Sequence, residues 1–170
     1  YAYSGGASSG YEIMVPHSMS LVSMEDTREI SISVWLKPRS LAPQFPTILG
    51  KGGNWGGAYG GYELHLNANG DNDLTFLSGN CFASTQNANG NWINNHLGEW
   101  RHVVFTLDTS TGTSLGHGVF YVNGQETHDL WYGTEYGHVC DDTVNFAVLN
   151  DLFIGRPDPA HHSNPAWYDG

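Results

Sequence analysis

The residues best suited to chemistry in this chain are aromatic rings standing among asparagines and glycines. Trp55 and Tyr59 lie in the run KGGNWGGAYGG, where the flanking glycines let a flat ligand approach. Trp92 is surrounded by Asn87, Asn89, Asn91, Asn94 and Asn95. Trp131, Tyr132 and Tyr136 open another aperiodic stretch beside Glu135 and His138, and Trp167 and Tyr168 stand near the end. A sugar offers an apolar C–H face to a ring and hydroxyls to Asn, Asp and backbone groups. Binding sites combine such apolar area with a few placed polar groups. The pattern therefore points to carbohydrate, with Trp55, Tyr59, Trp92, Trp131 and Tyr132 as stacking surfaces and Asn91 and Asn94 as hydroxyl partners. The competing reading is that these rings close the edge of the core, since Trp is highly buried on average. Trp35 and Trp100 fall in strand-like stretches and are assigned mainly to packing.

Other chemistries find less support. Glycoside hydrolysis needs two carboxylates at a fixed separation. Glu63 has His65 rather than an acid two residues on, and Glu12 and Glu99 have no acidic partner at strand spacing. Neither a G-x-S-x-G elbow nor a cysteine in a catalytic signature occurs. The expectation is a non-catalytic domain. The nine histidines are scattered; His161 and His162 are adjacent and point apart on an extended chain. Asn67, Asn69, Asp71 and Asp73 alternate oxygen ligands, but Gly70 is out of register for an EF-hand loop and no Glu closes it. That stretch reads as a solvated hairpin turn. The two cysteines, Cys81 and Cys140, form either one disulfide, which implies an oxidising compartment, or two thiols. Their spacing does not decide between them.

These residues must be held by strands. Arg101, Val103, Phe105 and Leu107 share one face of a stretch, while Trp100, His102, Val104 and Thr106 share the other. That period of two is a strand signal. GVFYV follows, closed by Asn123-Gly124, the pair suited to a type I′ hairpin because both residues take φ > 0. Gln125 to Trp131 extends as a further strand. Ile30, Ile32, Val34 and Leu36 alternate with Ser31, Ser33 and Trp35, and the apolar side belongs in the core. Tyr62, Leu64 and Leu66 face inward, with Glu63, His65 and Asn67 on the other side. Tyr11 to Val15, Thr47 to Gly50, Leu74 to Leu77 and Leu149 to Gly155 complete the strands. A helical turn fits around Ser23 to Thr27. Lys51 to Gly61, Cys81 to Gly98 and Tyr132 to Val148 read as loops; structureless loops of such length are unusual and often functional.

Composition narrows the partners. At 170 residues the chain is of single-domain length, and 1–170 reads as one domain. Six Lys plus Arg against seventeen Asp plus Glu give a net charge of −11. Nucleic acid is excluded on that balance, because phosphate binding rests on clustered Lys and Arg. An anionic membrane surface is disfavoured for the same reason, and no run approaches the ~20 apolar residues of a span. The chain opens on Tyr1 without a signal peptide and reads as a mature or excised piece.

Several segments, in order, resemble the laminin-G-like, concanavalin-A-like jelly rolls. YEIMVPHSMSL is similar to the opening strand and loop. ISISVWLKP is similar to the FTISxWVKP strand. TILGKGG and GYELHLNANGDNDLTF resemble the following strand and hairpin, EWRHVVFTLD with VFYVNGQE the central hairpin, and LFIGRPDP with WYDG the approach to the last strand. The resemblance covers nearly the whole chain. It implies an all-β, two-sheet antiparallel sandwich and an extracellular or secreted recognition module. Members that hydrolyse β-glucans carry a Glu-x-Asp-x-x-Glu strand, which this chain lacks. Relatives often hold a calcium ion between an Asp-bearing N-terminal loop and a C-terminal DG segment. Asp169-Gly170 matches the second half, making Asp169 the candidate Ca2+ ligand, whereas YSGGASSGY lacks the aspartates of the first. The family normally continues with one more strand near the N-terminal one. Either the sequence is truncated after Gly170 or the gap is filled by something else; a donated strand filling it gives a second reading, a structural or decoration subunit of a fibre, capsid or surface layer.

Overall fold

Alternation of apolar and polar residues becomes two stacked antiparallel sheets. The computed structural model describes residues 12–21, 29–40, 46–52, 61–67, 73–78, 81–84, 94–108, 117–131 and 148–156. They contain the strands β1 (Ile13–Val15), β2 (Glu29–Leu36), β3 (Thr47–Gly52), β4 (Gly61–Asn67), β5 (Asp73–Ser78), β6 (Cys81–Ser84), β7 (Arg101–Asp108), β8 (His117–Val122), β9 (Gln125–Trp131) and β10 (Leu152–Ile154). Short 3₁₀ turns occupy Met19–Leu21 and Asn94–His96. One sheet has the order β1-β10-β3-β4-β5-β6 and the other β2-β7-β8-β9.

Register decides which side chains meet. Leu64 stands opposite Phe76 and Leu66 opposite Leu74, so these residues share the inner face of the six-stranded sheet. Val103, Phe105 and Leu107 on β7, with Phe120 and Val122 on β8, form the inner face of the other. All nine are buried, and Ile30, Ile32 and Val34 of β2 pack against them. The sheets meet through aromatic rings. Phe76 stacks on Phe105 with centroids 4.3 Å apart, and Phe105 meets Phe120 at 4.6 Å. Such contacts add about 0.5–1.5 kcal/mol each to the area they bury.

Asn123 and Gly124 carry φ of 50° and 80° between β8 and β9, as the Asn-Gly pair requires. Several boundaries differ from the sequence reading. β3 runs on through Lys51 to Gly52, because Lys51 is held in register opposite Tyr62 and Leu152. Cys81–Ser84 is a strand rather than the start of a loop: it pairs back on Thr75–Ser78 and supplies the sheet's last strand. Asn94–His96 adds a helical turn within the same stretch. β10 is shorter than expected, covering three residues. The turn expected around Ser23 to Thr27 lies outside the described residues, and one turn forms earlier, at Met19–Leu21.

Lys51 is wholly buried. Its Nζ donates to the Asn150 carbonyl and lies 3.1 Å from His17 Nδ1. The His17 backbone N–H donates in turn to Asp151 Oδ1 at 2.8 Å. These bonds tie β3 to the segments leading out of β1 and into β10.

Candidate functional site

Two groupings of polar and aromatic side chains lie outside the apolar core. The first is on the outer face of β3, β4 and β5. Thr47 Oγ1 donates to Glu63 Oε1 at 2.7 Å, and His65 Nδ1 lies 3.5 Å from the same oxygen. A register shift between Thr47 and Leu49 makes the first contact possible. Continued from the Leu49–Leu64 pair, regular pairing would set Thr47 opposite Leu66 on the core side; the bulge sets it opposite His65. Glu63, His65, Asp73 and Thr75 are all buried. Asp73 stands opposite Asn67, four residues along β4 from Glu63. At the rise of a strand this places the two acids about 13 Å apart, beyond the roughly 5–9.5 Å that glycosidase pairs use. The row is a buried polar layer.

The second grouping lies at the end of the other sheet, where β2 runs out and β7 begins. Trp35 stands opposite His102 on the outer face. The indole stacks on the imidazole with centroids 5.0 Å apart and planes 26° from parallel. His102 is fixed from two sides: its Nε2 lies 2.9 Å from Ser33 Oγ, and its backbone N–H donates to Asn123 Oδ1 at 3.0 Å. The Asn123 N–H returns a bond to the His102 carbonyl at 2.8 Å. The hairpin turn thereby positions the ring that supports Trp35. Trp35 remains 63% exposed and Trp100, one residue before β7, 55% exposed. The sequence assigns both mainly to packing. The correction follows from period two: once Ile30, Ile32, Val34 and Leu36 turn inward, Trp35 must turn outward, and Val103 and Phe105 impose the same on Trp100. This was the signal in the sequence for the residues that reasoning from loops missed.

A polar cluster stands where β7 begins. Arg101 Nη2 bonds Glu99 Oε2 and lies 2.8 Å from His96 Nδ1, which is itself 3.3 Å from that carboxylate oxygen. Hydrogen bonding from His96, followed by the Arg101 charge, holds the Glu99 carboxyl below its ordinary pKa. Arginine only donates. His96 Nδ1 therefore either accepts from Arg101 or, carrying a proton, donates to Glu99, but not both. Gly98 N–H donates to the Pro38 carbonyl at 2.7 Å, tying this connection to the end of β2.

The residues expected from sequence distribute as follows. Trp55, Tyr59, Asn91, Trp92, Tyr132, Cys140 and Asp169 lie outside the described residues. Asn94 opens the 3₁₀ turn that leads to His96. Trp131 closes β9 opposite His117, and Cys81 opens β6 opposite Ser78. Among the described residues, no group of three or more His, Cys, Asp or Glu is placed to hold a metal ion. No helix among them is long and apolar enough to cross a membrane.

A comparison with curated proteins finds no match. The family model of laminin G type described as the concanavalin A-like lectin/glucanases superfamily matches residues 8–160. With its two antiparallel sheets and almost no helix, the chain belongs to that superfamily.

Proposed function

We propose that this domain is a non-catalytic recognition module that binds carbohydrate outside the cell. The observation that carries the proposal is the exposed Trp35 ring, backed by His102 and neighboured by Trp100. An indole held rigid by a stacked imidazole loses little entropy on contact and offers an apolar surface to a sugar ring. Ser33 and Asn123, both bonded to His102, supply polar groups beside it. Membership of a superfamily of lectins and glucanases supports recognition in general, and the buried, widely separated Glu63 and Asp73 favour binding over hydrolysis. Trp55, Tyr59, Trp92, Tyr132 and Asn91, with Trp131 at the end of β9 and Asn94 in its 3₁₀ turn, belong to the same proposal as further contacts. Glycan-array screening followed by titration calorimetry tests it, with Trp35→Ala and Trp92→Ala as paired variants. Silence across broad polysaccharide classes removes the reading.

An assembly role is favoured by a different observation. Among the described residues β1 is an edge strand, with Ile13 40% and Met14 52% exposed, and Met19 and Leu149 are strongly exposed as well. An edge with apolar side chains is a template for an added strand from another chain. Light scattering decides: particles larger than a monomer support this role, and a stable monomer at high concentration opposes it.

A further inference from the structure

We infer that the Trp35–Trp100 edge takes an internal stretch of a long, uncharged polysaccharide, not a chain end or a single sugar. The inference rests on the carbohydrate reading above and adds the class of ligand. Among the described residues β2 is the edge strand of its sheet, paired with β7 alone. Pockets for small ligands bury most of the ligand surface, whereas rings 63% and 55% exposed form an open face. Such a face gathers contact area only by meeting successive units of one chain. Trp100 stands one residue before β7 and two before His102, the partner of Trp35, so alternation carried back one residue puts both tryptophans on the outer side of this end of the sheet.

Charge selects among polymers. A net charge of −11 repels uronate and sulfate groups. Lys37, two residues beyond Trp35, has an interaction of its own, and Arg101, at the start of β7 on the side opposite Trp100 and His102, is engaged by Glu99 and His96.

The test is depletion of the purified domain from solution by insoluble cellulose, chitin and a β-1,3-glucan, with matching hexaoses and monosaccharides as competitors. The expected result is depletion by at least one polymer, unchanged by added salt. The hexaose should compete at least about tenfold better than the monosaccharide. Trp35→Ala and Trp100→Ala should each weaken depletion roughly tenfold through lost apolar contact. Equal competition by the monosaccharide would overturn the inference while leaving carbohydrate binding intact. Preference for pectin or heparin, abolished by salt, would overturn it likewise, as would depletion indifferent to both tryptophans. Depletion by none of the polymers, together with a silent glycan array, would remove the carbohydrate reading itself.

Discussion

Phe76 on β5 and Phe105 on β7 lie with ring centroids 4.3 Å apart and planes 24° from parallel, joining one sheet to the other. Both are fully buried, and Phe105 also touches Phe120. Truncating either ring removes its transfer energy and leaves a cavity. Phe76→Ala and Phe105→Ala should each cost about 3–5 kcal/mol of stability. Urea denaturation of the single and double variants measures this, and a coupling energy of about 0.5–1.5 kcal/mol is expected from the stacked pair.

The exposed indoles should behave in the opposite way. Trp100→Ala should change stability by less than about 0.5 kcal/mol, as surface substitutions do. Trp35→Ala should cost at most about 1 kcal/mol, from the lost stack on His102. Thermal melts of the two variants check both values. Losses comparable to those of the buried phenylalanines would return these rings to a packing role.

Two glycines with positive φ should respond differently to alanine. At Gly61, φ is 114° and an added Cβ would stand 1.9 Å from the Lys51 carbonyl oxygen. Backbone cannot yield that distance cheaply, so Gly61→Ala should cost roughly 3 kcal/mol or more. At Gly124, φ is 80° and an added Cβ meets nothing within 4 Å. There only the left-handed backbone is penalised, and Gly124→Ala should cost about 1–2 kcal/mol. Equal urea midpoints for the two variants would contradict the close approach of β3 and β4.

Tyr62 makes stability fall in alkali. Burial pushes its phenol up to about 12, against about 10 for an exposed tyrosine. The folded state holds the neutral form. Its contribution is therefore complete below pH ~10 and lost as pH rises from about 10 to about 12. Relative to Tyr62→Phe, which has no proton to lose, the native protein should lose up to about 2–3 kcal/mol across that window. Parallel stability-versus-pH curves for the two proteins would rule out this account.

Local alternation reached far into this fold. The faces of β2 and β7, the inward Tyr62, Leu64 and Leu66, and the Asn123-Gly124 turn were all legible, because each depends on neighbours two residues away. β6 was not: Cys81–Ser84 is short and becomes a strand through its pairing with β5. The extension of β3 through Lys51 was equally hidden, since a buried lysine is accepted only where a distant carbonyl and imidazole meet it. The site was half visible. Sequence placed Trp35 on the side opposite the core residues yet offered no reason to think that side open.

What the chain determined by itself is the order of strands and the side each residue takes, for those follow from backbone geometry and the cost of exposing apolar surface. Only the assembled sheets decided what lies against each side. Glu63 and His65, expected on the non-core face of β4, are buried beside Thr47 because a bulge turns that threonine toward them. Trp35 is left exposed on the outer face, and His102 reaches it across sixty-seven positions of sequence, 35 to 102, through a pairing of strands that no local pattern encodes.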